Sequence, residues 1–296
     1  MNTRKMVSAG WPVKMALRLG RFLPLWGAPL FAAVMARLNV WLRPDVYRHA
    51  EANLRHVLGP DAPKRDLRRT LYQLFFNVMR RYYEYFYNMA RGHTRIEDVV
   101  PPVRFTPETQ QRVDQAMADG KGLFILGCHM SNFDLAGLAT AQYLPMPLYV
   151  LSLAEPTRDI EMFNEMRQNC GIEMHPINPE SLRGAMRHLQ SGGAAVTGPD
   201  YPITEEASVE FFGAPARLPS DYLRIPLRTG SPVMVLATHY EDGVYWIQTA
   251  PLIELEKTGD RQQDVEVNLR TILARVEDFI RQHPEEWMMF VPVWDE

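Results

Sequence analysis

The sequence predicts an α/β fold, a mostly parallel central sheet flanked by helices, with an N-terminal helical membrane-associating extension. Three observations lead there. From Pro101 onward, helical and strand periodicities alternate in strict turn, the pattern of crossover units that build a parallel sheet covered on both faces. From Pro44 to Gly92 the periodicity is helical. From Met1 to Pro44 there is no Asp or Glu, while Arg4, Lys5, Lys14, Arg18, Arg21, Arg37 and Arg43 are basic, in a chain of formal net charge -3.

Within that first segment the uncharged stretch FLPLWGAPLFAAVMA, Phe22 to Ala36, is shorter than the roughly 18 to 20 apolar residues that a spanning helix needs. Pro24, Gly27 and Pro29 interrupt it. It is expected to lie on or in a membrane interface, with Trp11, Trp26 and Trp41 at headgroup level and the basic side chains toward anionic lipid. A buried helix pair and a signal peptide ending near AVMA are the other readings, and two prolines in the apolar stretch weigh against the second. Residues 1–44 are therefore set apart from a larger domain of residues 45–296, helical over 45–92 and α/β over 101–296.

The elements follow in order. DVYRHAEANLRHVLG is a helix stopped by Gly59 and Pro60, and DLRRTLYQLFFNVMRRYYEYFYNMARG a longer one capped by Asp66 and ended by Gly92. Aromatic residues cover more than one face of the second, so protein or lipid must bury them. TPETQQRVDQAMADG is a helix with a Thr106 cap, GLFILG a strand, SNFDLAGLATAQYL a helix, PLYVLSL a strand and RDIEMFNEMRQNCG a helix. IEMHPI, ESLRGAMRHLQSGG and AAVTG continue the alternation. VEFFG, PVMVLATHY and VYWIQTA are further strands, the last two joined through EDG as a hairpin, and DVEVNLRTILARVEDFIRQHP is the closing helix.

Composition narrows the function classes. With 46% hydrophobic and 23% charged residues the chain is globular, and its slightly acidic balance gives no argument for nucleic acid. Two cysteines, Cys128 and Cys170, make no disulfide framework and no metal-ligand spacing, which points to a reducing compartment.

The stretch KGLFILGCHMSNFDLAG, Lys121 to Gly137, sets His129 and Asp134 where an apolar strand empties into a helix. Residues five apart on one helix are separated by about 140° net, so the two meet only if His129 precedes the helix. Ser131 as N-cap and Asp134 at the third helical position make an S-x-x-D capping box and leave His129 in the turn at the carboxyl end of a strand, the ligand edge of open α/β sheets. A carboxylate fixed at a helix N-terminus can orient one imidazole nitrogen and leave the other to remove a proton from an alcohol. Alternatively Asp134 only caps the helix and His129 is an ordinary loop residue.

GKGLFILGCHMSNFDLAG resembles the histidine-acid motif of the lysophospholipid acyltransferase superfamily, in the branch of bacterial lipid A biosynthesis acyltransferases and phosphatidylinositol mannoside acyltransferases. YRHAEANLRHVLG, GPDY with VEFFGAPARLP, RTGSPVMVLATHYEDGVYWI and IRQHPEEWMMFVPVW are similar to further blocks in the same order, from about Arg48 to Trp294. The ending departs from it, with FVPVW where such proteins tend to show His-Arg-Arg-Trp. The resemblance implies an O-acyltransferase in which His129 is the general base and Asp134 orients it. It implies an acyl thioester co-substrate, on acyl carrier protein or coenzyme A, no cofactor or metal, a membrane glycolipid or lysolipid acceptor, and a peripheral place on the cytoplasmic face of the cell inner membrane. Arg158 and Arg167 stand where the family carries basic residues for anionic groups, with solvated helix charges as the plain alternative. Asp200, beyond the AAVTG strand, matches an acidic block loosely, and Asn132 lies inside the motif; both are expected at the substrate. A catalytically silent lipid- or carrier-binding relative and a hydrolase using the same dyad are the competing functions; no G-x-S-x-G elbow supports a serine hydrolase. Cys128, at a strand end, is expected to point into the core rather than act as a nucleophile.

Overall fold

The computed structural model describes residues 11–156, 158–202 and 209–295. Arg4 and Lys5 lie outside the described residues, as do the side chains of Trp11, Lys14 and Arg158. The chain begins with α1 (Trp11–Gly20), α2 (Gly27–Leu42), α3 (Asp45–Leu58) and the long α4 (Lys64–Ala90). The alternating part comprises β1 (Val103–Phe105), α5 (Pro107–Ala118), β2 (Leu123–Gly127), α6 (Phe133–Tyr143), β3 (Leu148–Ser152), α7 (Arg158–Gln168), β4 (Glu173–Pro176), α8 (Pro179–Gln190) and β5 (Ala194–Thr197). It closes with β6 (Val209–Phe211), β7 (Ala214–Ala216), α9 (Arg224–Thr229), β8 (Val233–Glu241), β9 (Val244–Thr249) and α10 (Arg261–Gln282).

Among the described residues seven strands form one sheet in the order β1-β9-β8-β2-β5-β3-β4, and every pairing in it except β8 with β9 is parallel. The predicted α/β class is therefore the observed one. The β8–β9 hairpin turns through Asp242 and Gly243, both at positive φ, as a two-residue Asp-Gly turn requires. Alternate residues of the central strands serve two cores: Phe124, Leu126, Val233 and Val235 face one, and Leu123, Ile125, Met234 and Leu236 the other.

Several local expectations shift. VEF does not join the main sheet but pairs antiparallel with β7, and VRF adds an unforeseen short edge strand beside β9. Asp66 does not cap α4: the helix begins at Lys64 behind Pro63, and Asp66 becomes the acidic residue of its first turn, where it opposes the helix dipole. Nor does Ser131 cap α6. Ser131 stands at φ 48, and Asn132 takes the cap, its side chain accepting from Leu135 N, so Asp134 is the second helical residue.

The N-terminal helix pair has two unlike faces. Ala28, Ala32 and Ala36, one turn apart on α2, are fully buried, and α2 packs against α4 along this small-residue stripe. The connector is clamped to α4 and the turn after it: the Tyr83 hydroxyl donates to Pro24 O at 2.7 Å and Arg91 Nη2 to Leu23 O at 2.9 Å. The opposite face keeps its large apolar side chains in the open, with Phe22 82%, Trp26 75% and Trp41 78% exposed. Among the described residues no helix is long and apolar enough to cross a membrane.

Candidate active site

β2 and β5 are neighbours in the sheet, with Leu126 paired to Thr197. Three residues further along each strand's exit come His129 and Asp200, so the parallel register brings the two side chains together at the carboxyl edge. Nδ1 of His129 lies 2.7 Å from Oδ1 of Asp200. The other carboxylate oxygen, Oδ2, accepts from the His129 backbone N–H and from Nε1 of Trp287, each at 2.9 Å. Burial alone would push the Asp200 carboxyl up, but the His129 charge and the hydrogen bonds from His129 and Trp287 outweigh it and hold the group below its ordinary value. An anionic Asp200 accepts only, so in the neutral ring Nδ1 carries the proton and Nε2 the basic lone pair. The Asp200 side chain is wholly buried, while that of His129 keeps 28% of its surface open. Gly198 makes room for the ring, because a Cβ there would come within 2.5 Å of its Cε1. Phe133 meets the imidazole edge-on at 5.1 Å and Tyr201 lies at 5.6 Å.

Asp134, expected to orient His129, is bonded elsewhere. Its Oδ1 accepts from Nε and Nη2 of Arg167 at 2.9 and 2.6 Å, and its Oδ2 from Nη2 of Arg81. Position in the helix explains this: as the second residue of α6, Asp134 turns toward α4 and α7, which carry those arginines. Burial opposes its ionisation, but Arg167 and then Arg81 more than compensate and lower its pKa. Both guanidiniums also lie over Phe133, at 4.6 Å for Arg81 and 5.9 Å for Arg167, so the cluster buttresses the ring that touches His129. Arg167, expected at the substrate, has an internal task, its Nη1 donating to Asn164 at 2.8 Å. Asn132 is likewise internal: it is fully buried and caps α6. Of the residues singled out in the sequence, His129 and Asp200 are directly joined.

The His129 turn is braced by the far end of the chain. Ser131 N donates to Glu286 O at 2.8 Å and Met288 N to His129 O at 2.9 Å, with Met130 and Trp287 paired across an antiparallel bridge. That terminal segment is gripped by the helical half: Asn53 on α3 donates to Met289 O and Val291 O, and Asn77 on α4 to Glu285 O. Sequence reasoning missed Arg81 and Trp287. Arg81 was marked only by lying among aromatics in VMRRYYEYF, and Trp287 only by its place in the closing block. Close by, Glu84 and Glu286 are raised to about 7, each by burial that Arg80 offsets in part. Cys128 is buried, and desolvation followed by the Asp200 charge lifts its thiol far from the thiolate form that a nucleophile needs. Among the described residues no group of three His, Cys, Asp or Glu side chains is arranged to hold a metal ion.

Phosphatidylinositol mannoside acyltransferases of Mycobacterium tuberculosis, strains CDC 1551 / Oshkosh and ATCC 25618 / H37Rv, are 23% identical over 186 residues, 62% of this chain and 57% of theirs. The protein of the same name from Mycolicibacterium smegmatis is 22% identical over 183 residues, 60% of this chain and 59% of its own. The match thus spans less than two thirds of these relatives' length. A family model described as bacterial lipid A biosynthesis acyltransferase matches residues 2–296, nearly the whole sequence, and the chain belongs to that family.

Proposed function

We propose that the protein is an O-acyltransferase that moves a fatty acyl group from a thioester to a hydroxyl of a membrane glycolipid or lysolipid, with His129 as general base and Asp200 as its orienting carboxylate. The observation that carries the reading is the 2.7 Å bond from His129 Nδ1 to a buried, ionised Asp200 at the ligand edge of the sheet. Nε2 takes the acceptor's proton as its oxygen attacks the thioester carbonyl, and Asp200 stabilises the imidazolium that forms. The same proton then goes to the departing thiolate, and no acyl-enzyme is needed. The family and the names of the relatives support a glycolipid acceptor; acyl carrier protein and coenzyme A offer the same thioester chemistry. Lipid mass spectrometry of cells with and without the gene tests the reading. One lipid class is expected to lose an acyl chain in the deletion and regain it with the wild-type gene but not with His129→Ala. An unchanged lipid profile overturns the proposal.

The exposed face of the helix pair supports a peripheral seat on a membrane, which on this reading is the cytoplasmic face of the cell inner membrane. Phe22, Trp26 and Trp41 would enter the interface while Arg18, Arg21, Arg37 and Arg43 meet anionic headgroups. Burying one large apolar side chain is worth about 1.5–3 kcal/mol, so replacing all three aromatics by serine should weaken vesicle binding by at least about a hundredfold. Co-sedimentation with phosphatidylglycerol-containing vesicles measures this, and binding equal to wild type would rule out that face as the anchor.

A further inference from the structure

We propose, resting on the acyl-transfer reading above, that Trp287 is a positioning residue of the site: its indole N–H fixes Oδ2 of Asp200 so that Oδ1 is presented to Nδ1 of His129. A carboxylate rotates readily about its last bond, and one hydrogen bond to the ring would leave that rotation open. Two donors on Oδ2 close it, the backbone N–H of His129 and Nε1 of Trp287, both at 2.9 Å. The indole cannot turn away. Trp287 is 1% exposed, faces Phe211 and Trp294 at ring separations of 6.2 Å, and its backbone is bridged to Met130 beside the histidine. Because Trp287 is bonded to the carboxylate and closed off from solvent, it acts through Asp200 and not on substrate. Its hydrogen bond also favours the anionic form of Asp200, which the tautomer of His129 depends on. One residue therefore ties the terminal segment to the reacting imidazole.

The test replaces the N–H and little else. Trp287→Phe is compared with the isostere β-(3-benzothienyl)alanine at position 287, which keeps the bicyclic shape and exchanges N–H for sulfur, so a packing defect in the first does not decide the outcome. Trp294→Phe is the control, since Trp294 is buried nearby but donates to Phe211 O at 3.1 Å. NMR of the full chain, labelled at histidine and aspartate, follows the low-field Nδ1 proton of His129 and the titration of the Asp200 carboxyl carbon. Both position-287 variants are expected to lose or broaden that proton by exchange and to move the Asp200 titration to higher pH, and Trp294→Phe to do neither. With palmitoyl-CoA and total membrane lipid as probes, kcat should fall about tenfold to a hundredfold, the loss of one hydrogen bond to a charged group, at little-changed KM. A position-287 variant with wild-type proton and titration overturns the inference. Absence of acyl transfer by the wild-type protein would instead remove the acyl-transfer reading, and retained turnover in His129→Ala the role of His129 as base, each leaving the NMR result standing.

Discussion

Asp200→Asn is expected to lower turnover by about 10²- to 10⁴-fold in a protein that stays folded, and His129→Ala by a similar factor. The size follows from where the two donors on Oδ2 lie. His129 N–H and Trp287 Nε1–H both require an oxygen, so an asparagine at position 200 must place its carbonyl there and turn its NH2 toward Nδ1 of His129. A donor facing Nδ1 demands the tautomer with the proton on Nε2, which leaves no base toward substrate. The substitution inverts the imidazole without moving it. Combining the two changes should cost little more than either alone, because members of one catalytic unit are not additive. Steady-state kinetics of the three variants, with circular dichroism to verify folding, measures this. Asp200→Asn turning over near the wild-type rate would exclude Asp200 as the orienting carboxylate.

The sequence made His129 legible and paired it with Asp134, which the structure bonds to Arg167 and Arg81 instead, for a reason rooted in topology. Apolar runs, Gly and cap residues mark where each strand ends, so a histidine at a sheet edge is visible without any knowledge of strand order. The carboxylate that it is bonded to, Asp200, is 71 residues away, just beyond a strand that becomes a neighbour only because β3 and β4 are passed over before β5 returns beside β2. Asp134 is five residues away and looked sufficient. The same rule divides the rest of the chain. Hairpins and helix caps with local causes, such as Asp242-Gly243 and Thr106, were readable. The separate β6–β7 ladder, the Arg81 contact across 53 residues and the grip of Asn53 on the terminal segment depend on packing that no local window contains. At the N-terminus the apolar stretch with Trp26 and Trp41 was visible in composition, whereas the buried stripe of Ala28, Ala32 and Ala36 emerges only from the packing of α2 on α4.

Asp134→Asn should act on stability where Asp200→Asn acts on rate. Asp134, Arg81 and Arg167 form a buried network in which one carboxylate answers two guanidiniums, with Arg81 and Asp134 almost wholly out of solvent. Removing one partner of such a group typically costs about 3–5 kcal/mol, since the remaining charge stays buried without compensation. Asp134→Asn and Arg81→Leu are each expected to lose about that much in urea unfolding. The pair Asp134→Leu with Arg81→Leu should lose less than the sum, because the Arg81 charge is no longer left buried without its carboxylate, and Arg167, which does lose it, is partly exposed and keeps Asn164. The acid limb should change too. Asp134 has a native pKa below its unfolded one, so its contribution is present above the unfolded value and disappears as pH falls through the native one; in Asp134→Asn that part of the acid-induced loss should be missing. Turnover per folded molecule should drop far less than in Asp200→Asn, through loosening of Phe133 against the imidazole and not through loss of a proton relay. The opposite pattern, activity abolished at unchanged stability, would restore Asp134 as the partner of His129 and make the Asp200 contact a resting arrangement of the free protein.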